Sequence, residues 1–242
     1  MIIQLKPANM KKAISSSLVI LVLFFLAASV SSAQSKQTRD VSGFTEVSFG
    51  IAGNLYITIG PSFKVSIEGD EDYLHNIETV VKDGKLHIRQ DNNWGFNNKK
   101  ADVYITMPSL SGLGVSGSGK AKIESSVEAD AFNVSVSGSG RLYIADLTAD
   151  TFGCSISGSG DVIVEGKGSA DNGKITISGS GNYSGEGFEI DNLTVNISGS
   201  GKCDCKAGDS LKASISGSGN IYYSGQPKLD VRSSGSGHVR SK

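Results

Sequence analysis

The sequence predicts an all-β protein, a parallel β-helix (solenoid) with coils of about 20 residues that turn at Ser-Gly-Ser-Gly corners. Three observations carry this reading. First, Ser-Gly-Ser-Gly begins at Ser116, Ser137, Ser157, Ser178, Ser198, Ser216 and Ser234, so successive copies lie 21, 20, 21, 20, 18 and 18 residues apart. A nearly fixed period of this length marks a solenoid. Second, the residues flanking each copy alternate apolar and polar, which is strand periodicity with one face buried. Third, no segment of helical period interrupts residues 110–242, which excludes leucine-rich-repeat and α/β architectures.

The chain begins with a segment that does not belong to the fold. Lys6, Lys11 and Lys12 precede an apolar run from Leu18 to Val30 that closes on Ser31-Ser32-Ala33. Residues 1–33 therefore read as a secretory signal peptide cut after Ala33, with Met1 or Met10 as the start. The apolar run is short for a bilayer span, and no cysteine beside the cleavage site is available for lipidation. The mature protein, residues 34–242, is expected to be a single β-helix domain, soluble, exported and extracytoplasmic, not membrane-spanning once the leader is removed.

Residues 40–110 form the less regular part. Val47, Phe49 and Ile51, then Leu55, Ile57 and Ile59, alternate within residues 44–67, which read as the first coils without the serine corner. Residues 77–89 read as a hairpin, two alternating runs joined at Asp83-Gly84, a strong signal for a two-residue turn. A polar loop with two aromatics follows, and residues 101–115 lead back to the stack.

In residues 111–242 each corner is preceded by inward candidates: Phe132, Val134 and Val136; Phe152, Cys154 and Ile156; Ile175 and Ile177; Leu193, Val195 and Ile197; Leu211, Ala213 and Ile215. After the corner the alternation resumes with Leu142 and Ile144, Val162 and Val164, Cys203 and Cys205, Ile221 and Tyr223. Glycine suits a tight bend in stacked backbones, and the serines are expected to satisfy backbone polar groups at the bend. Coils stacked at ~4.8 Å would place seven corners in a rod roughly 30 Å tall. The last coil carries Ser233 at an inward position, with Arg232, His238, Arg240 and Lys242 nearby, a polar end expected to discourage end-to-end stacking.

The conjunction of "GNLYITIG", "VSIEGDEDYLHNIETVVKDGKLHI", "VYITMPSLSGLGVSGSG" and serial Ser-Gly-Ser-Gly coils behind a leader resembles the bacterial auto-transporter adhesin family with the head GIN domain, over roughly residues 40–240. The resemblance implies a single-stranded, right-handed β-helix outside the cytoplasm. The family supplies no catalytic residues to carry over.

The chemistry in the residues is sparse. Without a leader that holds three lysines and no acid, 20 basic residues face 24 acidic ones, a net charge of −4 with no basic cluster, which argues against nucleic acid as a partner. Gly114 to Lys120 fits G-x-x-x-x-G-K, but Ala121 stands where a phosphate loop needs Ser or Thr, and no helix follows. Cys154, Cys203 and Cys205 fall at inward positions and read as small buried residues rather than metal ligands or disulfides. The aspartates are scattered with no repeating offset, and His75, His87 and His238 form no ligand spacing. No catalytic residue, metal or cofactor is therefore expected.

The candidate ligand-binding residues are Trp94, Phe96, Asn92 and Asn93, in a loop that also holds Asn97 and Asn98. Exposed aromatics among amides suit stacking on a sugar ring. The alternative is that both rings fold back to cap the coils. An outward ladder of Ser135, Ser155, Thr176, Asn196 and Ser214 offers a second, hydroxyl-rich surface. The expected function is an adhesin-like binding or structural module at the cell envelope, with glycans or envelope proteins as partners and a monomer or homodimer as its state. A polysaccharide lyase or hydrolase and an envelope scaffold subunit are the alternatives.

Overall fold

Alternating apolar residues form strands here because coil after coil offers their inward side a dry interior. In the computed structural model, which describes residues 35–91 and 99–242, most of the described residues are strand. The N-terminal part comprises β1 (Ser35–Arg39), β2 (Glu46–Gly50), β3 (Gly53–Ile59), β4 (Lys64–Gly69), the short helix α1 (Glu71–Leu74), β5 (Ile77–Lys82), β6 (Lys85–Gln90) and β7 (Ala101–Met107). The coils follow as β8 (Gly112–Gly117), β9 (Lys120–Gly138), β10 (Arg141–Gly158), β11 (Asp161–Val164), β12 (Gly168–Gly179), β13 (Asn182–Gly199), β14 (Lys202–Gly217), β15 (Asn220–Ser224), β16 (Lys228–Gly235) and β17 (His238–Ser241). The expected leader, residues 1–33, lies outside the described residues.

Each coil buries three short runs. In β10 these are Leu142 and Ile144, then Leu147 and Ala149, then Phe152, Cys154 and Ile156. Neighbouring coils pair in parallel, so equivalent residues form inward columns. Val115, Val136, Ile156, Ile177, Ile197 and Ile215 make one such column.

The corners stack in register from Ser116-Gly117 through to Ser234-Gly235. Their two glycines are required for different reasons. The first adopts positive φ, as at Gly199 (φ 122°) and Gly217 (φ 119°), where side-chain-bearing residues are strained. At the second, exemplified by Gly201, a Cβ would lie 2.5 Å from the Gly181 carbonyl oxygen of the coil before. The serines do not act as expected. The corner's backbone is satisfied by the preceding coil, with Ser159 N–H donating to Gly138 O (2.9 Å) and Ser200 N–H to Gly179 O (2.8 Å). Ladder geometry continues through the bend, so the corner serines stand exposed, although Ser116 Oγ still reaches a backbone carbonyl, that of Phe49, at 3.5 Å.

The shortening of the repeat from 20 to 18 residues has a local cause. Between β13 and β14 the register jumps at Gly185/Glu189 and again at Ile190/Asn192. The first jump omits three residues, those aligned with Glu186 to Phe188, and the second restores one.

The N-terminal third corrects part of the sequence reading. β2 and β3 are indeed a first coil, pairing in parallel with β8 and β9. β4 is not part of a coil. It runs antiparallel to β7 and to β1, so that β1, β4 and β7 extend one face beyond the coil stack. The β5–β6 hairpin extends another face through β6–β2 pairing. Its turn is as expected, with Asp83 at φ 52° and Gly84 at φ 74°. Asp70 caps α1 by accepting from Tyr73 N–H (3.2 Å), and this single turn buries Tyr73 and Leu74 under the added strands.

At the other end, β16 is less polar than expected. Ser233 does replace an inward aliphatic residue, but Leu229 (49% exposed) and Val231 (44%) occupy the other inward columns and meet solvent.

Candidate functional site

The four residues singled out from sequence, Trp94, Phe96, Asn92 and Asn93, lie outside the described residues, as do Asn97 and Asn98. The flanks of their loop are anchored. Asp91 N–H donates to Asn76 O at 2.9 Å, and Lys99 bridges Asp70 at 2.5 Å.

The other sequence candidate, the outward hydroxyl ladder, lines an open groove of ≈ 980 Å³. The groove runs across the stacked strands from β2 to β14. Ser48, Ser135, Ser155 and Thr176 form one row along it, and Thr151, Asn172, Asn192 and Ser210 form a second. Asn196 and Ser214 continue the first row's column beyond the groove.

Between the rows lies a third column: Lys85, Glu46, Gly112, Asn133, Gly153, Lys174, Thr194 and Lys212. Of its two glycines, Gly153 lines the groove. At Gly153 a Cβ would stand 2.2 Å from Asn133 Oδ1, so the missing side chain lets the Asn133 amide lie across the rung above. The second row is already ordered: Ser210 Oγ bonds Asn192 Oδ1 (2.9 Å), and Asn192 Nδ2 reaches Asp171 O (3.4 Å).

The groove's charge is simple. Glu46, the one carboxylate lining it, is bridged to Lys85 at 2.7 Å. Lys174 and Lys212 have no ion-pair partner among the described residues. Such a surface offers hydrogen bonds and cations to a ligand but no paired carboxyls for hydrolysis.

A different face carries aromatics outward. Tyr104, Tyr56, Lys122, Tyr143 and Ile163 occupy one column, with the Tyr56 and Tyr104 rings stacked at 5.2 Å and 15°. Lys36 lies 5.9 Å above Tyr104. The sequence signal for this strip is the outward phase that these residues share in their strands.

The remaining motifs resolve into structure. Gly114–Ala121 is one corner among seven, in register with the next. All three cysteines are free and buried, as their inward phase predicts. Around them lies Tyr183, whose hydroxyl is buried with no hydrogen-bond partner. Burial, reinforced by the neighbouring thiols, pushes the phenol's pKa well up. Because an unpaired buried hydroxyl is a cost, Tyr183→Phe is expected to raise stability by about 1 kcal/mol in denaturant titration. A loss of stability would mean the hydroxyl has a partner. Among the described residues no group of three or more His, Cys, Asp or Glu is placed to hold a metal ion.

Asp204 was outward by sequence phase, yet it is buried beneath Lys202 and Lys242, each 2.7 Å away. Burial opposes its ionisation, but hydrogen bonds and charge from the two lysines outweigh that and hold its carboxyl below the ordinary range. A depressed folded-state pKa stabilises above the unfolded value of ~3.9 and ceases to do so as pH falls through the folded value. Asp204→Asn is therefore expected to cost about 1 kcal/mol at neutral pH, the lysines being partly solvated, and progressively less as the pH falls below ~3.9. Urea titrations of both proteins from neutral pH into the acid range check that the difference shrinks.

A single-chain β-solenoid with an open polar groove along one face is the class that fold and groove define. Residues 43–227 match the family described as "Putative auto-transporter adhesin, head GIN domain", and the chain belongs to that family. A "putative adhesin" from Bacteroides fragilis NCTC 9343 is similar at 26% identity and TM-score 0.82, covering 88% of this chain and 98% of its own. A "putative adhesin" from Parabacteroides distasonis ATCC 8503 shares the fold at 22% identity and TM-score 0.71, covering 88% and 98%. So does a "Putative lipid binding protein" from the same organism, at 21% identity and TM-score 0.72, with the same coverage. Comparison with curated proteins found no match. Among the described residues no helix is long and apolar enough to cross a membrane.

Proposed function

We propose that this protein is an exported, non-catalytic, adhesin-like module that binds a glycan of the cell envelope or its surroundings through the groove spanning β2 to β14. The observation that carries this reading is the groove's lining: two registered rows of hydroxyls and amides across successive coils, with Gly114 and Gly153 between and beside them. From β9 to β14 a polymer rich in hydroxyls meets a hydroxyl or amide on each rung, which suits a repeating ligand better than a small metabolite. The family's adhesin description and the leader-like residues 1–33 support an extracytoplasmic place for it. The single, ion-paired carboxylate supports binding over glycoside cleavage.

The test is a glycan and envelope-polysaccharide array with the purified protein beside Ser155→Trp and Trp94→Ala. Ser155 is exposed in mid-groove, and an aromatic is well tolerated on a strand, so the first variant blocks the groove while keeping the fold. Hits lost in Ser155→Trp and kept in Trp94→Ala support the groove. The reverse pattern assigns recognition to the Asn-rich loop, and a blank array removes the glycan reading.

A further inference from the structure

We infer that the groove's ligand is an anionic glycan with its acid groups on alternate sugar residues, an inference that rests on the glycan-binding reading above. The charge pattern of the central column leads there. Glu46 and Lys85 neutralise each other at 2.7 Å, which leaves Lys174 and Lys212 as the groove's unbalanced charge, on a protein that is acidic once its leader is discounted. Both lysines are exposed, and no carboxylate of the described residues pairs with either.

Their separation is set by register. Lys174 pairs with Thr194, and Thr194 with Lys212, so the two ammonium-bearing positions are two rungs apart, about 9.6 Å at ~4.8 Å per rung. The rung between presents only neutral groups, Thr194 in the column and Asn192 beside it. Within the groove a chain lying along the stack therefore meets a cation, a neutral hydrogen-bonding rung and a second cation; the next position in the column, Asp230, lies beyond the groove and faces Arg232 at 3.8 Å. A pyranose in an extended polysaccharide advances about one rung, so carboxylates on every second residue fall opposite both lysines. Lysine suits this task, being a compact charge on a flexible stem that tolerates variation in sugar geometry. Nucleic acid fits poorly, because the aromatic ring lining the groove, Phe152, is buried and leaves no platform for bases.

The experiment is calorimetric titration of the full protein with hyaluronate, in which uronate and neutral sugars alternate, polygalacturonate, in which every residue is charged, and neutral dextran. Hyaluronate is expected to bind tightest per chain length, more weakly as salt rises. Lys174→Gln and Lys212→Gln are each expected to weaken it roughly 5-fold, while Lys122→Gln on the aromatic face leaves it unchanged. Equal or tighter binding of polygalacturonate overturns the alternation. Binding of dextran as tight as hyaluronate, untouched by the lysine variants, overturns the charge argument while leaving the glycan reading standing. If none of the three polymers binds and the array is also blank, the glycan reading itself has failed.

Discussion

Gly199→Ala is expected to destabilise the protein by about 4 kcal/mol or more, lowering its melting temperature by roughly 10 °C or preventing folding altogether. Two penalties coincide at this residue. Its φ of 122° lies where a Cβ-bearing residue is strained, and the added methyl would stand 2.4 Å from the Gly179 carbonyl oxygen in the coil before. That oxygen is engaged, accepting from Ser200 N–H at 2.8 Å, so it has nowhere to retreat without opening the ladder. Gly84→Ala separates the two penalties. Gly84 also has positive φ, at 74°, but nothing lies within 4 Å of its would-be Cβ, so this variant should cost about 1–2 kcal/mol. Thermal unfolding of the pair is the measurement. Equal losses would show that close stacking of the corners contributes nothing.

Phe152→Ala is expected to cost about 3–5 kcal/mol. Phe152 is 1% exposed and packs edge-on against Phe188 at 5.2 Å and at a tilt against Tyr183 at 6.1 Å, so one ring from each of the three buried runs meets in the interior. The position after it in its column is Gly173, where Ile190 lies 2.8 Å from the would-be Cβ and leaves no room for a side chain. Loss of the ring therefore opens a cavity that the next rung cannot fill. Because each coil touches mainly its neighbours, the damage should be regional, with amides of β10, β12 and β13 losing hydrogen-exchange protection before those of β2 and β6. Uniform loss of protection would argue that the solenoid unfolds as one cooperative unit.

The coils were legible in the sequence because their physics is local. Period-two alternation at Phe152, Cys154 and Ile156 needs no partner to be seen, nor does the Asp83-Gly84 turn, whose backbone few other residues adopt. The N-terminal strands were harder. Val65 and Ile67 in β4 alternate just as Leu55 and Ile57 do in β3, yet β4 pairs antiparallel outside the coils. Alternation reports which side is buried and is silent on the direction of the neighbour. The serine corners misled for a related reason, since a hydroxyl at a bend competes with backbone donors one coil away.

The groove was half visible. Its hydroxyl row followed from the outward phase, but its floor did not, because Gly153 is unremarkable until register places it between the two polar rows. The same holds for Lys174 and Lys212, 38 residues apart in sequence and two rungs apart in space.

By itself, then, the sequence determined that this chain is a solenoid, where its corners lie and which side chains face inward, since each depends on a repeat written along one strand of backbone. The tertiary structure alone decided what lies beside what: the added strands on β2 and β3, the burial of Asp204 beneath two lysines, the fit of Ile190 over Gly173 and the polar groove. Those depend on register between coils, which corner geometry and two register shifts between β13 and β14 set across distances that no local pattern spans.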